Sequence, residues 1–244
     1  MEDGWTQFIK ESASADTSAM IRNITCGRYH NILFLVGAGI SVAAGFPTFR
    51  SDQDLSAVLD KDQPSHEIFK ALRAFTIEAE PTDFHMFMDS VASRIYTQNI
   101  DGLERDDDRV VFTHGRLTDG ARCTSEKCGY VMPWAEFRQQ LHYIYISCPQ
   151  CKSDLRPNIT LYGEEVQFDY QHAVADIGLA DLLICAGTSL QVYPFADLLK
   201  VSCNKLIIEP QVTHHHTQHL AGGISSTYLY QGDCQEFARA CRPC

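Results

Sequence analysis

Residues 31–41 read NILFLVGAGIS, and this stretch decides the fold. Asn31–Val36 holds a short apolar run, the pattern of a strand buried on both faces of a parallel sheet. It runs directly into Gly37, Ala38 and Gly39, then Ile40 and Ser41, where a helix is expected to start. Glycines between a strand and a helix let the backbone approach a pyrophosphate. The helix start then supplies free N–H groups and a partial positive charge. Gly37 and Gly39 suit the tight-turn and close-approach roles of a dinucleotide site. Gly45 comes too late for the third glycine of G-x-G-x-x-G, so the turn alone also reads as a strand–helix connection packed for its own sake.

Working outward, five more runs read as buried strands: Arg94–Thr97, Val110–Thr113, Leu182–Ala186, Lys205–Glu209 and Tyr228–Tyr230. Between them lie stretches with helical spacing, namely Ser65–Ala74, Asp83–Val91, Glu165–Ile177, Phe195–Val201 and Cys234–Cys241. Strands alternating with helices predict βαβ units and an α/β fold, a Rossmann-like doubly wound parallel sheet. Right-handed crossovers place the loops after the strands along one edge, where such sheets bind ligands. Gly187, Thr188 and Ser189 follow a second apolar strand and offer another small-residue loop at that edge.

One segment breaks the alternation. Residues 116–155 are rich in Cys, Gly and polar residues and read as a small inserted module, with 18–115 and 156–240 forming the large nucleotide-binding domain. Cys123 and Cys128 form C-x4-C, Cys148 and Cys151 form C-x2-C, and nineteen residues separate the pairs. Two cysteine pairs at this distance converge readily on a tetrahedral site, which suits zinc. Four protein ligands leave no open position, so the metal is expected to be structural. Cys241 and Cys244 repeat the C-x2-C spacing at a chain end with no second pair, and fraying is expected there. His214, His215, His216 and His219 read as a solvated loop, and Cys26, Cys185, Cys203 and Cys234 as small hydrophobes.

The 244 residues are 45% hydrophobic and 21% charged, an ordinary globular balance, with a net charge of -11. That charge excludes a global basic footprint for nucleic acid and favours basic partners such as Lys-rich protein tails. The first residues carry no basic and apolar leader pattern, and the apolar runs are too short to span a bilayer. A soluble intracellular protein is therefore expected, cytoplasmic or nuclear, with its ten cysteines reduced or bound to metal.

Seven tracts together carry a resemblance. They are GAGISVAAGFPTFRS at 37–51, YTQNIDGLE at 96–104, HG at 114–115, the four paired cysteines, RPNITLYGE at 156–164, GTSLQVYPFA at 187–196 and GDC at 232–234. In this order and spacing the chain, from about residue 18 to 239, resembles the sirtuin family of NAD-dependent protein lysine deacylases. The resemblance implies NAD as co-substrate, structural zinc, and acylated lysine in proteins or peptides, histone tails among them, as substrate. No nucleic acid or membrane is implied. It implies that Gly37, Ala38 and Gly39, with Ser41 just behind them, cradle the pyrophosphate. Phe49 and Arg50 would belong to a loop closing over the cofactor. Gln98, Asn99, Ile100 and Asp101 would line the nicotinamide and ribose pocket, with Asn99 and Asp101 joining His114, the general base, in catalysis. Gly187, Thr188 and Ser189 would meet the adenine-side ribose and phosphates, Glu209 the ribose, and Cys234 the adenine. Thr160, Leu161, Tyr162 and Gly163 would pair with the substrate backbone as an added strand. A histidine near its ordinary pKa can take a ribose hydroxyl proton at neutral pH, which fits the role given to His114.

Two positions depart from the commonest family pattern. Thr48 stands where an acidic residue usually precedes Phe-Arg. It resembles a subgroup that prefers negatively charged acyl groups, but the Tyr and Arg that hold such a carboxylate are missing from the residues after Arg50, so desuccinylation is not expected. Glu209 replaces the usual Asn; a carboxylate can accept from ribose hydroxyls yet repels phosphate. The alternatives are mono-ADP-ribosyl transfer to protein, a scaffold that binds nucleotide and zinc without catalysis, and a dehydrogenase.

Overall fold

The computed structural model describes residues 18–48, 55–143, 145–166, 168–211, 213 and 227–241. Six parallel strands form the main sheet: β1 (Ile32–Val36), β2 (Arg94–Thr97), β3 (Val110–Phe112), β7 (Leu182–Ala186), β8 (Lys205–Ile208) and β9 (Thr227–Tyr230). Their order is β3-β2-β1-β7-β8-β9. The strand order reverses between β1 and β7, which opens a crevice outside their carboxyl ends.

Side-chain alternation along the strands fills both faces. Phe34 and Val36 of β1 join Ile184 of β7 and Leu206 of β8 in one core, closed by Phe84 and Met88 of the Asp83–Val91 helix and Phe237 of the Cys234–Ala240 helix. Leu33 and Leu35 point the other way, with Leu183, Cys185 and Ile207, toward Ile177 of the Tyr170–Gly178 helix and Leu198 of Phe195–Lys200. Residues one apart in sequence thus serve opposite cores, as a period of two requires.

Some elements differ from expectation. After Gly37 the chain turns as a 3₁₀ helix over Ala38–Ala44, not an α-helix. The Ile40 carbonyl is taken by the Thr82 hydroxyl at 3.1 Å and the Gln235 amide at 3.1 Å. Gly45, at φ 93°, closes the turn with its N–H on Ser41 and Val42. Phe195–Lys200 is also 3₁₀. The helix expected from residue 165 starts at Tyr170, because Asp169 caps it by accepting from the His172 N–H at 2.9 Å. Cys241 is buried in the first core and does not fray, while Cys244 and the histidine cluster lie outside the described residues. Cys26 is exposed, unlike Cys185, Cys203 and Cys234.

A second, antiparallel sheet was not legible in the sequence. It joins β4 (Ala121–Cys123) to β5 (Val131–Met132) and β6 (Leu155–Pro157), in the order β5-β4-β6. Its third strand ends at Pro157, two residues past the expected module boundary. The core beneath it also takes in Leu55, Ile68, Phe69, Leu72 and Phe75, packed with Phe137, Leu141 and Leu155. The Ser65–Leu72 helix therefore packs with the cysteine-bearing segment, whose own apolar residues are too few to close a core. Among the described residues no helix is long and apolar enough to cross a membrane.

Candidate active site

Every strand of the large sheet delivers residues to one edge. Gln98 follows β2 with its N–H on the Val36 carbonyl at 3.0 Å, and His114 follows β3. Gly37 follows β1, Gly187 follows β7, Glu209 follows β8, and Cys234 opens the helix after β9. All six line a single cavity of about 740 Å³, within the usual size for a small-molecule site.

The floor is made of two interlocked loops. The Gly39 N–H donates to the Gly187 carbonyl at 2.9 Å. A Cβ on Gly39 would stand 2.6 Å from the Gly187 Cα, and one on Gly187, whose φ is +62°, 2.6 Å from the Ile40 nitrogen. Only glycine fits at either place, since the obstacle is backbone. Ala38, Thr188 and Ser189 line the cavity beside them, and the Thr188 hydroxyl donates to Gln98 Oε1 at 2.8 Å.

His114 sits in the wall. Its Nδ1 lies 3.2 Å from the Gln98 carbonyl oxygen, which can only accept, so Nδ1 carries the proton and Nε2 keeps a lone pair. Burial pushes the imidazole pKa down, partly opposed by that hydrogen bond. The His114 carbonyl accepts the Thr160 N–H at 2.8 Å, which ties His114 to the segment of residues 160–163.

Thr160, Leu161, Tyr162 and Gly163 all line the cavity. One edge of this segment is already used: the Tyr162 N–H donates to the Leu59 carbonyl, and the Tyr162 carbonyl accepts from Lys61, both at 2.9 Å. Glu164 folds back beneath, accepting the Leu161 N–H at 2.9 Å and binding Arg156 through both carboxylate oxygens at 2.6 and 2.7 Å. The Leu161 carbonyl in turn accepts the Glu164 N–H at 3.1 Å, so both backbone groups of Leu161 are engaged within this turn.

Not every candidate lines this cavity. Asn99 and Ser41 are buried just behind it, and Asp101 faces a neighbouring cavity with Phe46, Phe75 and Trp134. Ile100 lines the main cavity, while Phe49 and Arg50 lie outside the described residues. Burial raises the Asp101 carboxyl pKa against hydrogen bonds from Leu103 and Ser41. Glu104, quoted in the sequence only as part of a tract, is buried beneath Asn99. Burial, aided by the charge of Asp101, raises its pKa to about 7. Burial alone does the same for Glu209. Val192, Ile159, Leu59 and Thr48 also line the wall.

The four candidate metal ligands converge. Their sulfurs lie within 4.8 Å of one another, with Cys123–Cys151 at 3.4 Å and Cys128–Cys148 at 3.6 Å. Thiolates about 2.3 Å from a tetrahedral zinc stand roughly 3.8 Å apart, so the set fits that ion.

A family model described as "Sir2 family" matches residues 37–194. The chain belongs to the Sir2 family. Among its Sir2 relatives, an NAD-dependent protein deacetylase of Enterococcus faecalis is 33% identical over 188 residues, covering 69% of this chain and 75% of that protein. The NAD-dependent protein deacetylase sirtuin-2 of Danio rerio is 32% identical over 230 residues, 80% of this chain, and the match spans 59% of that longer protein. A solved Sir2 structure described as "Sir2-p53 peptide-NAD+" superposes with a TM-score of 0.73 at 26% identity, covering 88% of this chain and 93% of the other. The Sir2 likeness thus takes in the doubly wound sheet and both loops of the floor.

Proposed function

We infer that the cavity carries out the reaction of its Sir2 relatives. The chain is an NAD-dependent protein lysine deacetylase: it consumes NAD, releases nicotinamide and moves the acyl group from lysine to ADP-ribose. The observation that carries this reading is the meeting, at one sheet edge, of a glycine-floored crevice and a histidine whose free nitrogen is fixed by its partner.

The buried and partnerless Asn99 Oδ1 supports the fit to NAD, since an acceptor without a donor awaits one from a ligand. Bound NAD supplies the ribose carbon that receives the acyl oxygen as nicotinamide departs. The other steps belong to the chain's own residues. Gly37, Ala38, Gly39, Thr188 and Ser189 hold the pyrophosphate, with Ser41 supporting Asn99 from behind. Gln98, Asn99, Ile100 and Asp101 shape the nicotinamide side. His114 Nε2 accepts a ribose hydroxyl proton. Glu209 and Cys234 meet the adenosine end. Thr160, Leu161, Tyr162 and Gly163 face the peptide, and Leu59, Ile159 and Val192 keep water from the acyl-lysine. Cys123, Cys128, Cys148 and Cys151 hold zinc away from the chemistry. Reduced thiols of this kind suit the cytoplasm or nucleus.

The decisive test is incubation with NAD and acetyl-lysine peptide, read by mass spectrometry. Free nicotinamide together with acetyl-ADP-ribose is the expected result. Label from NAD appearing on protein would favour ADP-ribosyl transfer instead, and reduction of NAD would favour a dehydrogenase.

Glu209 gives a second expectation. Below pH about 7 its buried carboxyl is neutral and can share hydrogen bonds; above that it is a negative charge in a cavity that must hold phosphates. The KM for NAD should therefore rise as pH goes from about 6 to about 8. Glu209→Gln should flatten that rise. An equal rise in the variant would clear Glu209 of responsibility.

A further inference from the structure

Among the described residues Glu104 is the one buried carboxylate behind the cavity that the reaction above does not use, and its side-chain partners lead to Asn99. Glu104 is 5% exposed and Asn99 1%. Glu104 Oε1 accepts from Asn99 Nδ2 at 3.1 Å and also from the Thr97 hydroxyl. The same hydroxyl oxygen accepts the Asn99 backbone N–H at 3.0 Å. Main chain and side chain of Asn99 are thus held in one closed ring that runs through a single carboxylate oxygen. Asn99 Nδ2 has one further partner, Ser41 Oγ, at 3.4 Å. Two buried oxygens remain unpaired, Glu104 Oε2 and Asn99 Oδ1.

This arrangement settles which end of the Asn99 amide faces which way. An oxygen that receives the Thr97 hydroxyl proton can attract the amide N–H₂ but not the amide oxygen. The amide oxygen is then the atom left over for a donor from outside the protein.

We propose that Glu104 is a positioning residue for Asn99: through Oε1 and Thr97 it fixes the amide so that Oδ1 is offered as an acceptor to a hydroxyl or amide donor of NAD. The proposal rests on the deacetylase reading. Glu104 itself does not line the cavity. A packing role alone would predict something different, namely loss of stability with no special link to Asn99.

A double-mutant cycle in the full chain separates the two. Glu104→Ala should lower kcat about 10- to 100-fold, the cost of leaving the buried Asn99 amide without its partner, with the peptide KM little changed. Glu104→Gln keeps the volume and an acceptor oxygen, and should stay within about threefold of the native rate. Adding Glu104→Ala to Asn99→Ala should cost nothing further, since a residue that acts only through Asn99 has nothing left to position. Multiplying losses in the double variant would overturn the proposal. So would Glu104→Gln falling as far as Glu104→Ala, because a charge and not an acceptor would then be at work. Native chain that consumes no NAD with acetyl peptide would instead remove the deacetylase reading itself.

Discussion

His114→Ala should lower kcat for deacetylation by about 10²- to 10⁴-fold, the range that general-base catalysis supplies. The hydrogen bond from Nδ1 to the Gln98 carbonyl leaves Nε2 as the only ring nitrogen able to take a proton. Alanine removes that nitrogen and nothing else in the cavity replaces it at the same place on the wall. The backbone of residue 114 keeps its contact with Thr160, so the peptide strand and the fold should survive. Thermal melting should stay close to native while turnover collapses. Unchanged turnover would take the base role away from this residue. The native pH profile gives a companion reading. Burial lowers the imidazole pKa, so its neutral, proton-accepting form persists further into acid than an ordinary histidine's. The acidic limb of kcat/KM should accordingly fall below the usual histidine range, and Glu209→Gln should leave that limb in place.

Cys148→Ser should strip the zinc and unfold the small core with it. Cys148 has no exposed surface, and its sulfur lies 3.6 Å from that of Cys128. Serine cannot supply a thiolate, and binding free energy at structural zinc sites is folding free energy for modules of this size. Zinc per chain should drop from about one to near zero by elemental analysis. The melting transition should split or fall sharply. Activity should go too, because Ile100, Ile159 and Leu161 belong to the same core and also wall the cavity. Normal zinc content in the variant would sink the four-cysteine assignment.

How much of this was readable beforehand follows from physics residue by residue. The strands were legible because both faces are covered, so β1, β7 and β8 are apolar without a break apart from Lys205 at the rim. The cysteine pairs were legible because metal ligation fixes spacing. The small sheet was not, because two- and three-residue strands are too short to show a period. Nor was the allegiance of Ser65–Leu72, whose apolar stripe looks the same whichever core it faces. Glu104 was hidden for another reason: a glutamate in a polar turn reads as solvated, and only the fold shows Thr97 and Asn99 closing around it. For Tyr162, the tract implied pairing with a peptide but not that residues 59–61 already hold its N–H and carbonyl.

The meshing of Gly39 with Gly187 carries a consequence for how such a protein can change. Neither position tolerates so much as a methyl group while the opposite backbone stays put, so no order of single replacements leads away from the pair. Loops remote in the chain are thereby bound to a shared history: whatever novelty this enzyme acquires must come from the walls and the roof, with the ground beneath the dinucleotide held constant.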